Sequence, residues 1–253
     1  MEIKDPAFDY DKFGQKYSRQ RKTDPRIEAF VQKALGNSKM VINIGAGSGS
    51  YEPNDRYVIA VEPSLTMRSQ RLKNNKTPAI NATADSLPFD DKSFDAAMAM
   101  VTVHHWPDIE KGLQEVRRVT SNQIVITTFD PDALDDFWNV NYFPELIEIE
   151  RKRYPKIDRL QKALGGKTEV IKIPIPLDCV DGFQEAYYGR PEAFLLKEVR
   201  MAQSAWAFLP EALEKIYMEN LSDDLKSGVW DKKFGHFRTQ STFTGALRLI
   251  VAL

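Results

Sequence analysis

Apolar positions along this chain change period several times, and each change predicts an element. Tyr10, Phe13 and Tyr17 recur at three and four residues, as do Ile27, Phe30, Val31, Ala34 and Leu35 before Gly36-Asn37. That spacing predicts two amphipathic helices, the second stopped by glycine. Short apolar runs then predict strands at 40–44, 57–61, 78–82, 94–100 and 124–128. Helix patterns fall between them at 64–74 and 107–119, the latter opened by Pro107 at its first position. After Asp130-Pro131 the texture changes: 133–153 and 156–164 read as helices, 170–175 as a strand, 178–235 as mostly helical and rich in aromatics, and 244–251 as a last strand. Strands alternating with helices predict an α/β fold, a Rossmann-like, doubly wound, mainly parallel sheet. The expected organisation is an N-terminal helical cap over 1–39, a ligand-binding core over 40–130, a helical cap or insertion over 131–243 that carries one core strand, and a final core strand over 244–253.

Composition narrows the class of partner. The 253 residues include 35 Lys+Arg and 36 Asp+Glu, so no basic field recommends a nucleic acid or an anionic membrane. One cysteine, Cys179, forbids an internal disulfide and suits a reducing compartment, and three histidines leave little material for a metal centre. No metal is expected. The first ten residues, MEIKDPAFDY, have no apolar signal core, and no window approaches a membrane span. The expectation is a cytoplasmic protein with a small-molecule partner, without nucleic acid or membrane; its oligomeric state is not written in the sequence.

The densest chemical signal is Asn43-Ile44-Gly45-Ala46-Gly47-Ser48-Gly49, a strand running into three alternate glycines. Without Cβ atoms the backbone turns sharply there and approaches a ligand closely. Glu62 ends the next strand, 17 residues after Gly45, where a carboxylate can accept both hydroxyl hydrogens of a ribose. Together they predict a nucleoside site. The spacing is G-x-G-x-G rather than the G-x-G-x-x-G of dinucleotide folds, and no Gly-Lys-Ser/Thr closes the loop. Pyrophosphate ligands are therefore disfavoured.

Four blocks in order now resemble a known family: the glycine loop, Val61-Glu62-Pro63-Ser64, Ala84-Asp85-Ser86-Leu87-Pro88-Phe89, and Phe94-Asp95-Ala96 through Val103-His104-His105-Trp106. The chain resembles the class I S-adenosylmethionine-dependent methyltransferases, in particular the ubiquinone/menaquinone-biosynthesis type and its bacterial relatives, over about residues 10–130 and the last strand. The resemblance implies the class I methyltransferase fold, S-adenosyl-L-methionine as cofactor and S-adenosyl-L-homocysteine as product. It implies that Gly45, Ala46 and Gly47, with Asn43 just before them, pass close to the methionyl part. Glu62 would hold the ribose, Pro63 and Ser64 border the adenine, Ala84 offer its N–H to the ring and Asp85 face the exocyclic amine. Met100 and Val101 would face the sulfonium, and Tyr17 and Arg21 would cover the cofactor and pair its carboxylate. Three departures stand out. Asn43 replaces an acid, Thr83 occupies a position where an acid is frequent, and the Pro53-containing segment before Glu62 has room for about one helical turn.

Methyl transfer needs a nucleophile placed in line and water excluded. A hydroxyl nucleophile also benefits from a base, and His104 and His105 stand at the end of the fourth strand as catalytic candidates; the competing reading makes His105 and Trp106 anchors for the next helix. Tyr142, Phe143, Phe183, Tyr187, Tyr188, Phe194, Met201, Trp206 and Phe208 either line a substrate wall or pack the insertion's own core. Cys179 reads as a packed thiol, and the basic residues Lys12, Lys16, Arg19, Arg21, Lys22 and Arg26 as a solvated helix face. Two functions remain open: a methyltransferase acting on O, N or C of a small molecule, and a catalytically silent cofactor-binding protein of the same fold.

Overall fold

A computed structural model of the chain describes residue 11 and residues 20–253. Tyr10, Phe13 and Tyr17, and with them the first predicted helix, lie outside the described residues. Helix α1 (Pro25–Leu35) precedes strands β1 (Met40–Ile44) and β2 (Tyr57–Val61), helix α2 (Leu65–Lys73), strands β3 (Ala79–Ile80) and β4 (Ala96–Met100), helix α3 (Ile109–Val119) and strand β5 (Ile124–Phe129). Helices α4 (Pro144–Arg153) and α5 (Ile157–Leu164) follow, then strands β6 (Thr168–Lys172) and β7 (Ile175–Pro176). The last part holds helices α6 (Lys197–Met201), α7 (Glu211–Ser227) and α8 (Val229–Phe234) and strands β8 (Thr242–Phe243) and β9 (Leu247–Ala252).

Seven strands form one sheet in the order β3-β2-β1-β4-β5-β9-β6, while β7 and β8 pair separately. Pairings from β3 through β5 are parallel; β9 runs antiparallel to both β5 and β6. This is the mostly parallel, doubly wound sheet of the class I methyltransferase fold. Because side chains alternate across a strand, Val41, Met98, Val125 and Leu249 face one layer and Ile42, Ala99, Ile126 and Ile250 the other. The first layer holds α1 through Ile27, Val31 and Leu35, and continues into the aromatic core of the C-terminal half. The second holds Leu113 and Val116 of α3 and Leu160 and Leu164 of α5. Strand order reverses between β1 and β4, which opens a crevice at their carboxyl ends.

Local chemistry explains where the elements depart from the sequence pattern. Helix α3 starts two residues after Pro107, because the Asp108 carboxylate accepts a hydrogen bond from the Lys111 N–H at 2.9 Å and takes the capping position. The single helix expected over 133–153 is broken by Pro144, which cannot donate into the preceding turn. Residues Pro131–Asp136 and Trp138–Asn141 form 3₁₀ turns instead, and α4 begins at the proline. Further 3₁₀ turns at Gln184–Tyr187, Pro191–Leu195 and Ser204–Phe208 replace much of the helix expected over 178–235. Within 131–243, α5 and β6 belong to the sheet and its flanking layer, whereas α4 and α6 through α8 surround the aromatic cluster. Trp138 is its hub: the ring meets Tyr142, Phe194 and Trp230 edge-on, and its Nε1 donates to the Tyr188 carbonyl at 2.8 Å.

Glu185 couples this half to the sheet. Its Oε1 accepts from the Ala246 N–H at 2.7 Å, just before β9, and the missing side chain of Gly245 leaves room for the carboxyl. Burial pushes the Glu185 pKa up to about 7, against the usual 4.5. The folded protein thus keeps a proton that the unfolded chain releases, so stability should fall as pH rises from about 5 to 7, by up to about 3 kcal/mol. Denaturant unfolding at the two ends of that window checks this, and Glu185→Gln should flatten the dependence.

Candidate functional site

The glycine loop leaves β1 with positive φ at each glycine: 64° at Gly45, 52° at Gly47 and 93° at Gly49. A Cβ on Gly45 would lie 2.0 Å from Thr102 Oγ1, so the loop and the end of β4 are packed backbone against side chain. The Ala46 N–H donates to the Val61 carbonyl at 2.9 Å, tying the loop to the end of β2. One residue on, the Glu62 carboxylate accepts from the Gly47 N–H at 2.8 Å and the Ser64 N–H at 2.9 Å. Ser64 caps α2, and Asp11 accepts from Ser64 Oγ at 2.6 Å and the Thr66 N–H at 2.9 Å.

No helix forms between the glycine loop and β2, where the sequence leaves room for about one turn. The segment is fixed by charge instead. Glu52, fully buried, receives two hydrogen bonds from the buried Arg71 guanidinium, 2.6 Å to Oε1 and 2.8 Å to Oε2, and a third from Asn43 Nδ2 at 2.8 Å. Arg71 also donates to the Thr77 carbonyl and hydroxyl. The preceding Tyr51 sits at φ 63° and donates its hydroxyl to Asp181 at 2.8 Å. The acid absent at 43 is therefore present as Glu52, nine residues later; its signal in the sequence is an acidic residue inside an otherwise polar turn, which no spacing rule singles out.

At the carboxyl ends of β1, β2 and β4 these residues enclose a cavity of about 290 Å³. Of the predicted residues, Arg21, Gly45, Ala46, Gly47, Glu62, Pro63, Ser64, Ala84, Met100, Val101 and His105 line it. Met67, Thr102 and Trp106, which the motifs do not single out for the site, join them. Asn43, Asp85 and His104 are not on its wall, and Tyr17 lies outside the described residues. Asn43 stands one layer behind, spent on Glu52. Asp85 lies beside the lining residue Ala84, and its Oδ1 is buried with no hydrogen-bond partner among the described residues. Arg21, expected to face a cofactor carboxylate, is fastened to Asp181 at 2.5 Å.

His105 lines both this cavity and a second, smaller one of about 30 Å³, and His104 lines the smaller one alone. Their ring centroids are 3.9 Å apart, and the His104 ring packs against Tyr154 at 4.3 Å, tilted by 50°. Desolvation, reinforced by Arg153 and Arg21, drives the His105 pKa down to about 3; His104 is also depressed, by burial and then by His105. Both imidazoles are neutral at pH 7 and weak as bases. The aromatic residues offered as a substrate wall pack one another: Phe143, Tyr188 and Phe194 are fully buried in the aromatic cluster, and none of the set lines the 290 Å³ cavity. Phe183 alone of them borders the smaller one. Cys179 is buried, its thiol pushed up to about 12 by desolvation. Arg26 pairs with Asp24 and Asp178 rather than forming a free basic face.

Residues 42–126 match the family model described as a methyltransferase domain. The structure of a methyltransferase assigned to an antibiotic biosynthesis pathway of Anabaena variabilis superposes with a TM-score of 0.84 and 30% identity, over 92% of this chain and 99% of that one. The chain belongs to the class I S-adenosylmethionine-dependent methyltransferase family. Among curated relatives of the chain are an uncharacterized protein of Methanocaldococcus jannaschii, 27% identical over 64% of either chain, and an uncharacterized methyltransferase of Bacillus subtilis, 29% identical over 48% of this chain and 53% of that one. The chain thus spans between about half and just under two thirds of their length.

The ion pair beneath the glycine loop yields a stability prediction. Arg71→Met leaves Glu52 buried without its countercharge and should cost about 3–5 kcal/mol. The double variant Glu52→Gln/Arg71→Met should recover part of that loss, both read from denaturant midpoints.

Proposed function

We propose that the protein binds S-adenosylmethionine in the 290 Å³ cavity and transfers its methyl group to a small molecule. The observation that carries this reading is the Glu62 carboxylate, held on the cavity wall by the Gly47 and Ser64 N–H groups beside a loop in which every second residue is glycine. Two N–H bonds leave its remaining lone pairs for the ribose hydroxyls. Ala84 lines the cavity, where its N–H would donate to the adenine ring, and the orphaned Oδ1 of the neighbouring Asp85 would accept from the exocyclic amine. The bound cofactor supplies a methyl group on a positively charged sulfur, an electrophilic carbon with a neutral leaving group. Met100 and Val101 border that end of the cavity, and the residues around them orient the acceptor and exclude water.

The reading of a silent binding protein draws on the missing acid at 43 and the short segment before Glu62. Glu52 and Arg71 supply both a charge and a rigid connection there, so the catalytic reading is preferred. Assignment to the ubiquinone/menaquinone-biosynthesis type rests on the motif blocks alone, and the acceptor is taken to be a small molecule because charge is balanced along the chain.

Calorimetry should register S-adenosylhomocysteine binding and none for NADH; the reverse result would sink the proposal. Glu62→Ala should weaken the adenosyl ligand by about 1–3 kcal/mol. Burial raises the Glu62 pKa above the usual 4.5. Protonation converts one acceptor oxygen to a donor, so affinity should drop on acidification, with the drop beginning above the ordinary carboxylate range.

A further inference from the structure

Trp106 and Ala84 line the 290 Å³ cavity, and both lie against Gly112, the buried fourth residue of helix α3. A Cβ on Gly112 would stand 2.6 Å from Trp106 Cε3, 3.1 Å from its Cζ3 and 3.3 Å from the Ala84 Cβ. Carbon atoms in contact ordinarily keep about 3.5–4.0 Å. The indole therefore rests on bare helix backbone. That backbone is ordinary helix: the Gly112 N–H donates to the Asp108 carbonyl at 2.9 Å, and the residue does not take the left-handed conformation seen at Gly45 and Gly47. Glycine is a poor helix former, and alanine would suit α3 better. What calls for glycine at 112 is the ring.

The helix is not free to back away from a larger residue. Leu113 and Val116 are buried against the sheet. Glu115 accepts from the Leu87 N–H at 3.1 Å, and Arg118 donates to the Leu87 and Phe89 carbonyls at 3.1 and 2.8 Å, so the turn after Ala84 is tied to the same helix. Trp106 is pinned at its main chain, where its N–H donates to the Val103 carbonyl at 3.1 Å and Pro107 follows. Room for a methyl group at 112 would be taken from the cavity that the indole lines.

We propose that Gly112 is a positioning residue of the cofactor site: its missing side chain seats the Trp106 indole and so sets the width of the cavity where the purine lies. This rests on the cofactor reading above, in which Ala84 faces the base, and adds to it a residue that touches no ligand. A side chain at 112 narrows the base end and leaves the carboxylate of Glu62, held by the Gly47 and Ser64 N–H groups, where it is.

Calorimetry on Gly112→Ala tests this with S-adenosylhomocysteine and with 5′-methylthioadenosine, which keeps the purine and ribose but lacks the amino-acid end. Both should bind about tenfold more weakly than to the unaltered chain, a typical overpacking penalty. Trp106→Phe removes the ring atoms that the new methyl group would strike. In that background Gly112→Ala should change either affinity by less than about twofold. Unchanged affinities in Gly112→Ala would overturn the proposal. So would a loss that persists undiminished beside Trp106→Phe, or one confined to S-adenosylhomocysteine. Alanine favours the helix, so far-UV circular dichroism should be unaltered; a Gly112→Ala chain that stays unfolded even with Trp106→Phe would also overturn the proposal. An unaltered chain that binds neither ligand would fail the cofactor reading, and this inference with it.

Discussion

The buried pair between Glu52 and Arg71 is the constraint on which the site depends. A βαβ connection usually spaces two parallel strands with a helix, and the helix then aims the glycine loop. Here only a turn separates the loop from β2, so the loop has no helix behind it. The bidentate guanidinium joins the turn to α2, and Asn43 joins the same carboxylate to β1. Three elements that frame the cavity are thereby tied to one charge pair in a dry environment. A pair of this kind adds little net stability over an apolar replacement, yet loss of one partner is costly. Its value here is geometric: it fixes where Gly47 presents its N–H, and therefore where Glu62 can hold its carboxylate.

A second buried acid, Asp181, does for the cap what Glu52 does for the loop. It receives Arg21 from the N-terminal side and the Tyr51 hydroxyl from the loop, and it belongs to the segment after β7. Core, loop and C-terminal half therefore meet at one carboxylate. Glu185 makes a comparable link from the aromatic cluster to β9 through the Ala246 N–H. The C-terminal half is thus joined to the sheet by directed polar contacts as well as apolar packing.

What can be read in the sequence is what is local. Strands 40–44 and 57–61 have their expected bounds because short apolar runs between turn signals carry their own information. The glycine loop and Glu62 are legible because a close approach needs glycine and a strand end exposes the next residue. Resemblance alone places Asn43 in the site, but the structure sets it against Glu52, a contact that depends on how the turn folds back. Arg21 and Glu150 show the same limit: their partners, Asp181 and Gln184, are 160 and 34 residues away. The aromatic insertion reads as helix because apolar spacing of three and four does not distinguish α from 3₁₀ turns. Prolines 131, 144 and 191 do carry that distinction, since each opens a new turn.

One strained residue stands at the wall that the two cavities share. Val101, a β-branched residue, has φ 52° there, a region that such side chains avoid. Conformations of this kind cost on the order of 1–3 kcal/mol and persist only where the surroundings over-determine them. The Val101 N–H donates to the Thr127 carbonyl at 2.8 Å, and the next residue, Thr102, fills the space left by Gly45. Relaxing Val101 would break the bond to β5 or drive Thr102 out of its seat against the loop. Val101 also borders both cavities. The strain is therefore held where the end of β4 turns aside at the wall that the two cavities share.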